Sequence, residues 1–277
     1  MKWREAPNLQ IGSLAPVSAA TYLERFCPVT VPPIDLFISG RYELLTVARV
    51  LDVPTCAKVG PLLLVGLISE SENYLRDVIS RILSICPISR KAASSKTLSY
   101  GSVFWAGAKT TGRAIFDHQS LADRKSIKEA LGLLGYTIRE GSALEGPMNE
   151  FDKLCELRHA IVHTSRIISG KNATTLELSP CSDGFRVEVD SAKLENAALV
   201  ASAFVYTVNS ELFAHLSKRW AIDWRRSPSW IPSDENKLFA RIWSTLVSKS
   251  EPFVDSNGAS LTPAKVQKLI KAEFRVS

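Results

Sequence analysis

Leu62-Leu63-Leu64-Val65-Gly66-Leu67-Ile68-Ser69-Glu70-Ser71-Glu72-Asn73-Tyr74-Leu75-Arg76-Asp77-Val78-Ile79-Ser80-Arg81-Ile82-Leu83 is the stretch on which the fold turns. Leu62, Leu63, Leu64, Leu67, Ile68, Tyr74, Leu75, Val78, Ile79, Ile82 and Leu83 recur at three- and four-residue spacing, the period of an α-helix. The pattern predicts a long helix from Val59 up to Pro87. So wide an apolar face needs other helices to cover it.

Suitable partners follow in the chain. Ser120 to Leu134 reads as a second helix, with Ile127, Leu131 and Leu134 on one side and Gly135 as its stop. A third helix runs from about Gly146 to Ile168. A fourth, long helix runs from Ala192 to about Trp220, capped by Asp190 or Ser191, with Leu194, Ala198, Val205, Val208 and Leu212 as its packing face. Between the third and fourth helices, Thr174–Leu178 and Phe185–Val189 read as two β-runs joined by Pro180-Cys181-Ser182-Asp183-Gly184, a hairpin pattern. The expected fold is mainly α, an antiparallel helical bundle with a small β-hairpin insertion and extra segments at both ends.

Those extra segments differ in character. Residues 1–58 are punctuated by Pro7, Pro16, Pro28, Pro32, Pro33 and Pro54 and read as an irregular appendage with one helix, Arg41 to Val53. Residues 59–220 form the helical domain, and 221–277 a helical extension with helices over Ser233–Ser248 and Thr262–Phe274, Pro263 opening the latter. The first twenty residues lack the apolar run of a signal peptide, and Ala197–Val208 is too short to cross a bilayer. No membrane association is expected.

Bulk composition is that of a globular protein: 277 residues, 45% hydrophobic and 22% charged, with a formal charge of +6. Such a charge permits a polyanionic partner without requiring one. Cys27, Cys56, Cys86, Cys155 and Cys181 are odd in number and widely spaced, so neither a disulfide framework nor a zinc site is indicated, and a cytoplasmic location fits. Gly-rich phosphate loops, HExxH and GxSxG are absent from the sequence, and no cofactor is expected.

Chemistry concentrates in Glu156-Leu157-Arg158-His159-Ala160-Ile161-Val162-His163. On a helical wheel, Phe151, Leu154, Cys155, Ile161 and Val162 lie within about 60° of Arg158, so the arginine sits at the centre of the apolar stripe. A guanidinium there needs an anion, from Glu70 or Glu72 of the long helix, from another subunit or from a ligand. His159, Asp152, His163 and Glu156 cluster about 100° to 160° away. In the bland reading, the histidines are surface residues paired with those carboxylates. Arg166 and Lys171, just after the segment, are placed to meet phosphates. Lys218-Arg219-Trp220 and Trp224-Arg225-Arg226, with Trp230, alternate cations with aromatics, but core anchoring by the tryptophans is the stronger reading.

The Arg158, four residues, His163 arrangement, with a polar residue directly after the arginine, resembles the signature of the HEPN superfamily. The Glu-rich run Ser69–Asp77 on the preceding long helix fits that likeness. The order of helices with a β insertion is similar to the RiboL-PSP type of HEPN domain, over roughly Val59 to Trp220. The resemblance implies an endoribonuclease that needs no metal and cuts RNA, such as tRNA, by 2′-hydroxyl attack at the two-fold interface of a homodimer, as a toxin or antiphage-defence effector. It assigns His163 to acid–base work and Arg158 to the phosphate, with His159 positioning or moving a second proton. It leaves Glu156 to orient an imidazole and Glu72 to hold Arg158. HEPN toxins controlled by a nucleotidyltransferase carry a tyrosine two positions after the motif histidine; Ser165 stands there instead. An antitoxin or another defence-system protein remains a candidate partner. The alternative implied by the same residues is a silent HEPN-like module that binds RNA or a nucleotide and dimerises.

Overall fold

Prolines that read as breaks in the sequence turn out to start helices. Pro33 opens α1, Pro33–Val50, and Pro54 lies in the first turn of α2, Val53–Ile85. In a first turn the N–H that proline lacks has no helical partner in any case. These elements are seen in a computed structural model that describes residues 17–24, 30–228 and 230–276, with the side chains of 106–111 excepted. The chain divides into two units, Met1–Thr30 and Val31–Ser277. Within the first, Ala19–Tyr22 forms a short 3-10 turn. Most of the stretch tested for a signal peptide lies outside the described residues.

The second unit is mainly helical. At 33 residues α2 is about 50 Å long, and it packs against α1, α6, Glu145–His163, and α8, Ser191–Lys218. It also meets α4, Tyr100–Ala114, and α9, Glu235–Leu246. Short α3, Pro87–Ala93, leads towards α4. Helix α5, Arg124–Leu133, ends at Gly135, whose φ of +69° is the left-handed stop the sequence predicts. A five-residue π-helical turn, Arg219–Asp223, extends α8, and α10, Pro263–Phe274, lies beyond α9.

Side chains of the predicted apolar faces fill the interior. Ile68, Leu75, Val78, Ile79 and Ile82 are fully buried. Phe151 of α6 stacks on Phe204 of α8 with centroids 4.2 Å apart. Tyr74 donates to Asn209 Oδ1 at 3.1 Å, and Asn209 Nδ2 donates to the Leu246 carbonyl at 2.6 Å, so the polar atoms of this contact between α2, α8 and α9 are satisfied. The α2 helix and the run Ser191–Asp223 are each long and apolar enough to cross a membrane, with mean hydropathy 1.3. Both are central helices of the bundle, an arrangement compatible with a soluble protein.

The expected hairpin is corrected. Among the described residues there is no strand, and Gly170–Thr175 is a helix, α7. Ser169 caps it by accepting from Asn172 N–H, while Thr174 and Thr175 donate their hydroxyls to the carbonyls of Gly170 and Lys171. Glu177 then takes a left-handed φ of 55° and turns the chain before Thr174–Leu178 can pair. Phe185–Val187 runs instead beside 166–168: Ile168 N–H donates to the Phe185 carbonyl at 2.9 Å and Val187 N–H to that of Arg166 at 2.8 Å.

Helix α4 lies between Pro87 and Ser120, where the sequence pattern predicts no helix. Ser99 caps it, accepting from Ser102 N–H at 3.0 Å. At the surface its Tyr100 stacks on Phe104, and Phe104 meets Trp105, 84% exposed, edge to face. By contrast Trp220 and Trp224 are fully buried, Trp220 donating to the Glu235 carbonyl, and Arg225 is ion-paired to Glu235 and lies over the rings of Trp220 and Trp230. The cation–aromatic run is thus core anchoring.

Candidate active site

Helix α6 carries Arg158, His159 and His163, and it stops at His163 rather than at Ile168. Thr164 is non-helical, and Ser165 and Arg166 adopt left-handed φ values of 52° and 74°. Thr164 donates its hydroxyl to the Ala160 carbonyl at 2.9 Å, and Arg166 N–H reaches the same carbonyl, closing the helix end. His163 is therefore exposed on the last turn, and its ring lies 4.7 Å, centroid to centroid, from that of His159 one turn earlier.

These residues line a cleft of about 830 Å³ between α5 on one side and α6 with α7 on the other. Arg158, His159, His163, Glu156 and Lys171 all face it, as the sequence reading requires. Arg158 and His163 share this cleft within a single chain, despite their angular separation on the wheel. Arg166 does not line the cleft; its backbone is engaged with Ala160 and Val187.

The cleft lining carries five Lys and Arg side chains, Arg124, Lys125, Lys128, Arg158 and Lys171, against the four carboxylates of Asp123, Glu129, Asp152 and Glu156. Arg158 is half-buried, its Nε is buried without a hydrogen-bond partner, and it has no ion pair among the described residues. Neither Glu70 nor Glu72 supplies one. The buried Glu72 carboxylate accepts from Leu121 N–H at 2.6 Å, Ser120 Oγ at 3.1 Å and Arg76 Nη2 at 3.3 Å, so its role is to hold the segment entering α5 and not to hold Arg158. Asp152 accepts from Arg124 N–H at 2.7 Å and Asp123 caps Ser126 N–H at 2.8 Å, both fixing the start of α5. Glu156 is bound through Oε2 by the side-chain amide of buried Asn172, which ties α7 to α6. This carboxylate is an anchor for the cleft wall, with no hydrogen bond to an imidazole.

Cys155 lies in the cleft lining but is 3% exposed. Burial pushes its thiol well above the ordinary cysteine value, and Asp152, Glu72 and Asp123 push the same way against the opposing pull of Arg158. It stays protonated and is no nucleophile. Among the described residues no three His, Cys, Asp or Glu side chains gather as a metal-binding group.

Sequence reasoning missed the opposite wall. Arg124, Lys125 and Lys128 of α5 face the same cleft. The signal was present in the polar side of an amphipathic helix whose Ile127, Ala130 and Leu131 are buried, but nothing in the sequence says which other helix that polar side confronts. Set beside known proteins, the chain matches no family model, no curated protein and no solved structure, and so the chemistry of this cleft is argued from its own residues.

Proposed function

We propose that the cleft is the active site of an endoribonuclease of HEPN type. The observation that carries the reading is Arg158: a guanidinium with a buried, unpartnered Nε beside two neighbouring imidazoles, in a cleft where Asp123, Asp152 and Glu156 accept hydrogen bonds from the walls. The resemblance of Arg158–His163 to the HEPN signature, on a mainly helical bundle, supports it.

The chemistry needs only groups that the chain carries. A base removes the proton from a ribose 2′-hydroxyl, the 2′-oxygen forms a bond to phosphorus, and the bond from phosphorus to the 5′-oxygen breaks as an acid protonates the leaving oxygen. The products are a 2′,3′-cyclic phosphate and a 5′-hydroxyl. His163 takes one proton-transfer role and His159 the other, since one imidazole cannot be base and acid at the same instant. Arg158 stabilises the charge gathering on the phosphoryl oxygens, a task suited to a permanently charged fork. Lys171 meets a neighbouring phosphate. The active unit is a cytoplasmic homodimer, in which a two-fold axis would set two such clefts in one assembly.

The test is cleavage of a labelled single-stranded RNA by the purified chain in excess EDTA, with analysis of the ends. Cyclic phosphate ends are expected, with no cutting of DNA or of RNA lacking the 2′-hydroxyl. Arg158→Ala and His163→Ala should each abolish cleavage while the circular-dichroism spectrum stays helical. Full activity in His163→Ala sinks the mechanism, and RNA binding without cleavage by the wild-type chain would point to the silent binding module.

A further inference from the structure

The face of α5 opposite the histidines has no assigned task. Positions 124, 125 and 128 fall within about 100° of one another on a helix, and all three carry cations that line the cleft. We propose that Arg124, Lys125 and Lys128 form a rail for the backbone of single-stranded RNA, holding phosphates that flank the one met by Arg158. This rests on the ribonuclease reading above and adds to it a substrate requirement: a single strand extending past the cut bond.

Three observations carry the inference. First, Lys125 and Lys128 are exposed and have no ion pair or hydrogen bond among the described residues, as is true of Lys58, Lys91 and Lys237 elsewhere on the surface; what sets the two apart is that they line the cleft. Like charges three residues apart on a helix repel, which an anion between the walls relieves. Secondly, Asp123, Asp152 and Glu156 each accept a hydrogen bond from an N–H group of the cleft walls, which leaves Glu129 as the only cleft carboxylate with no hydrogen-bond partner among the described residues. Thirdly, Arg124 repeats the condition of Arg158: its Nε is buried and unpartnered, and its terminal nitrogen reaches Glu145 only at 3.8 Å.

Cations therefore stand on both walls, Lys171 and Arg158 facing the α5 face across the opening. Successive phosphates of one strand engage the two walls in turn. The volume of about 830 Å³ lies in the range of pockets that enclose a single small molecule, room for a short run of one strand and not for a duplex. A single strand is also free to rotate its 2′-oxygen into line with the departing 5′-oxygen.

The experiment is an anisotropy titration of a labelled, fully 2′-O-methyl oligonucleotide, which cannot be cut, over a series of salt concentrations. Wild type is compared with Lys125→Ala/Lys128→Ala and Lys125→Arg/Lys128→Arg. Removing two phosphate contacts should lower the slope of log K against log salt by about 1.4, at about 0.7 for each contact on a single strand. The arginine pair should keep the wild-type slope, and a hairpin duplex of equal length should bind more weakly. An unchanged slope in the alanine pair, with binding and RNA cleavage intact, overturns the rail and leaves the ribonuclease reading standing. If the wild-type chain neither binds the oligonucleotide nor cuts RNA, the ribonuclease reading itself falls, and the rail with it.

Discussion

Arg158 and Glu72 show what single residues do here. The sequence leaves open an ion pair between Arg158 and a glutamate of the long helix, and that pair would make the arginine structural. Glu72 spends its carboxylate on Leu121, Ser120 and Arg76 instead. The stability consequences are opposite for the two residues. Arg158→Met should shift stability by no more than about 1 kcal/mol, because no buried partner is orphaned. Glu72→Ala should cost about 3 kcal/mol, because it strands a buried N–H and a guanidinium, and urea denaturation at pH 7 measures both. Glu70 offers a third case: burial first, and then Glu43, raise its carboxyl above the ordinary value. A raised folded pKa stabilises below the unfolded value and the contribution is lost as pH rises, so Glu70→Gln should raise the urea midpoint at pH 7 and lose that advantage near pH 4. The cluster of Glu156, Arg158, His159 and His163 was legible in the sequence because all four sit on one helix, whose geometry is known from spacing alone. Apart from Arg76 one turn along α2, who pairs with Glu72 and Glu156 was not legible, since the other partners come from the 120–121 and 169–172 segments.

Elements were legible where an apolar stripe faces the core and obscure where it does not. Helices α2, α6 and α8 announce themselves through buried residues at helical spacing. Helix α4 does not, because Tyr100, Phe104 and Trp105 lie outward, and short α7 hides behind β-branched Thr174 and Thr175. The early start of α2 carries a close approach: a Cβ built on Gly60 would lie 2.1 Å from the carbonyl oxygen of Val189. That oxygen belongs to the backbone just before Asp190, the cap of α8, and cannot rotate away. Gly60→Ala should therefore lower stability by about 1–3 kcal/mol, whereas Gly146→Ala, with open space around it, should not. Thermal melts of the two variants side by side make the comparison.

For the whole molecule, the cleft is an assembly of parts distant in sequence: α5 hung on carboxylates of α2 and α6, α7 tied to α6 through Asn172. Acid should loosen the fold at a different place. Burial, then Arg219, lowers His215 below the ordinary histidine value, against a hydrogen bond with the Leu134 carbonyl. A depressed folded pKa gives stability that is present above the unfolded value of about 6.5 and is lost as pH falls through the folded one. The urea midpoint should thus drop between pH 7.5 and pH 5, and His215→Gln should flatten that drop.

Trp105 at the surface and Trp220 and Trp224 in the interior place three of the protein's six tryptophans at opposite extremes of exposure. Iodide, which does not enter the core, should quench the emission of Trp105 and leave that of the buried pair. In a Trp105→Phe chain the iodide-quenchable part of the fluorescence should fall, and the size of that fall reports on α4.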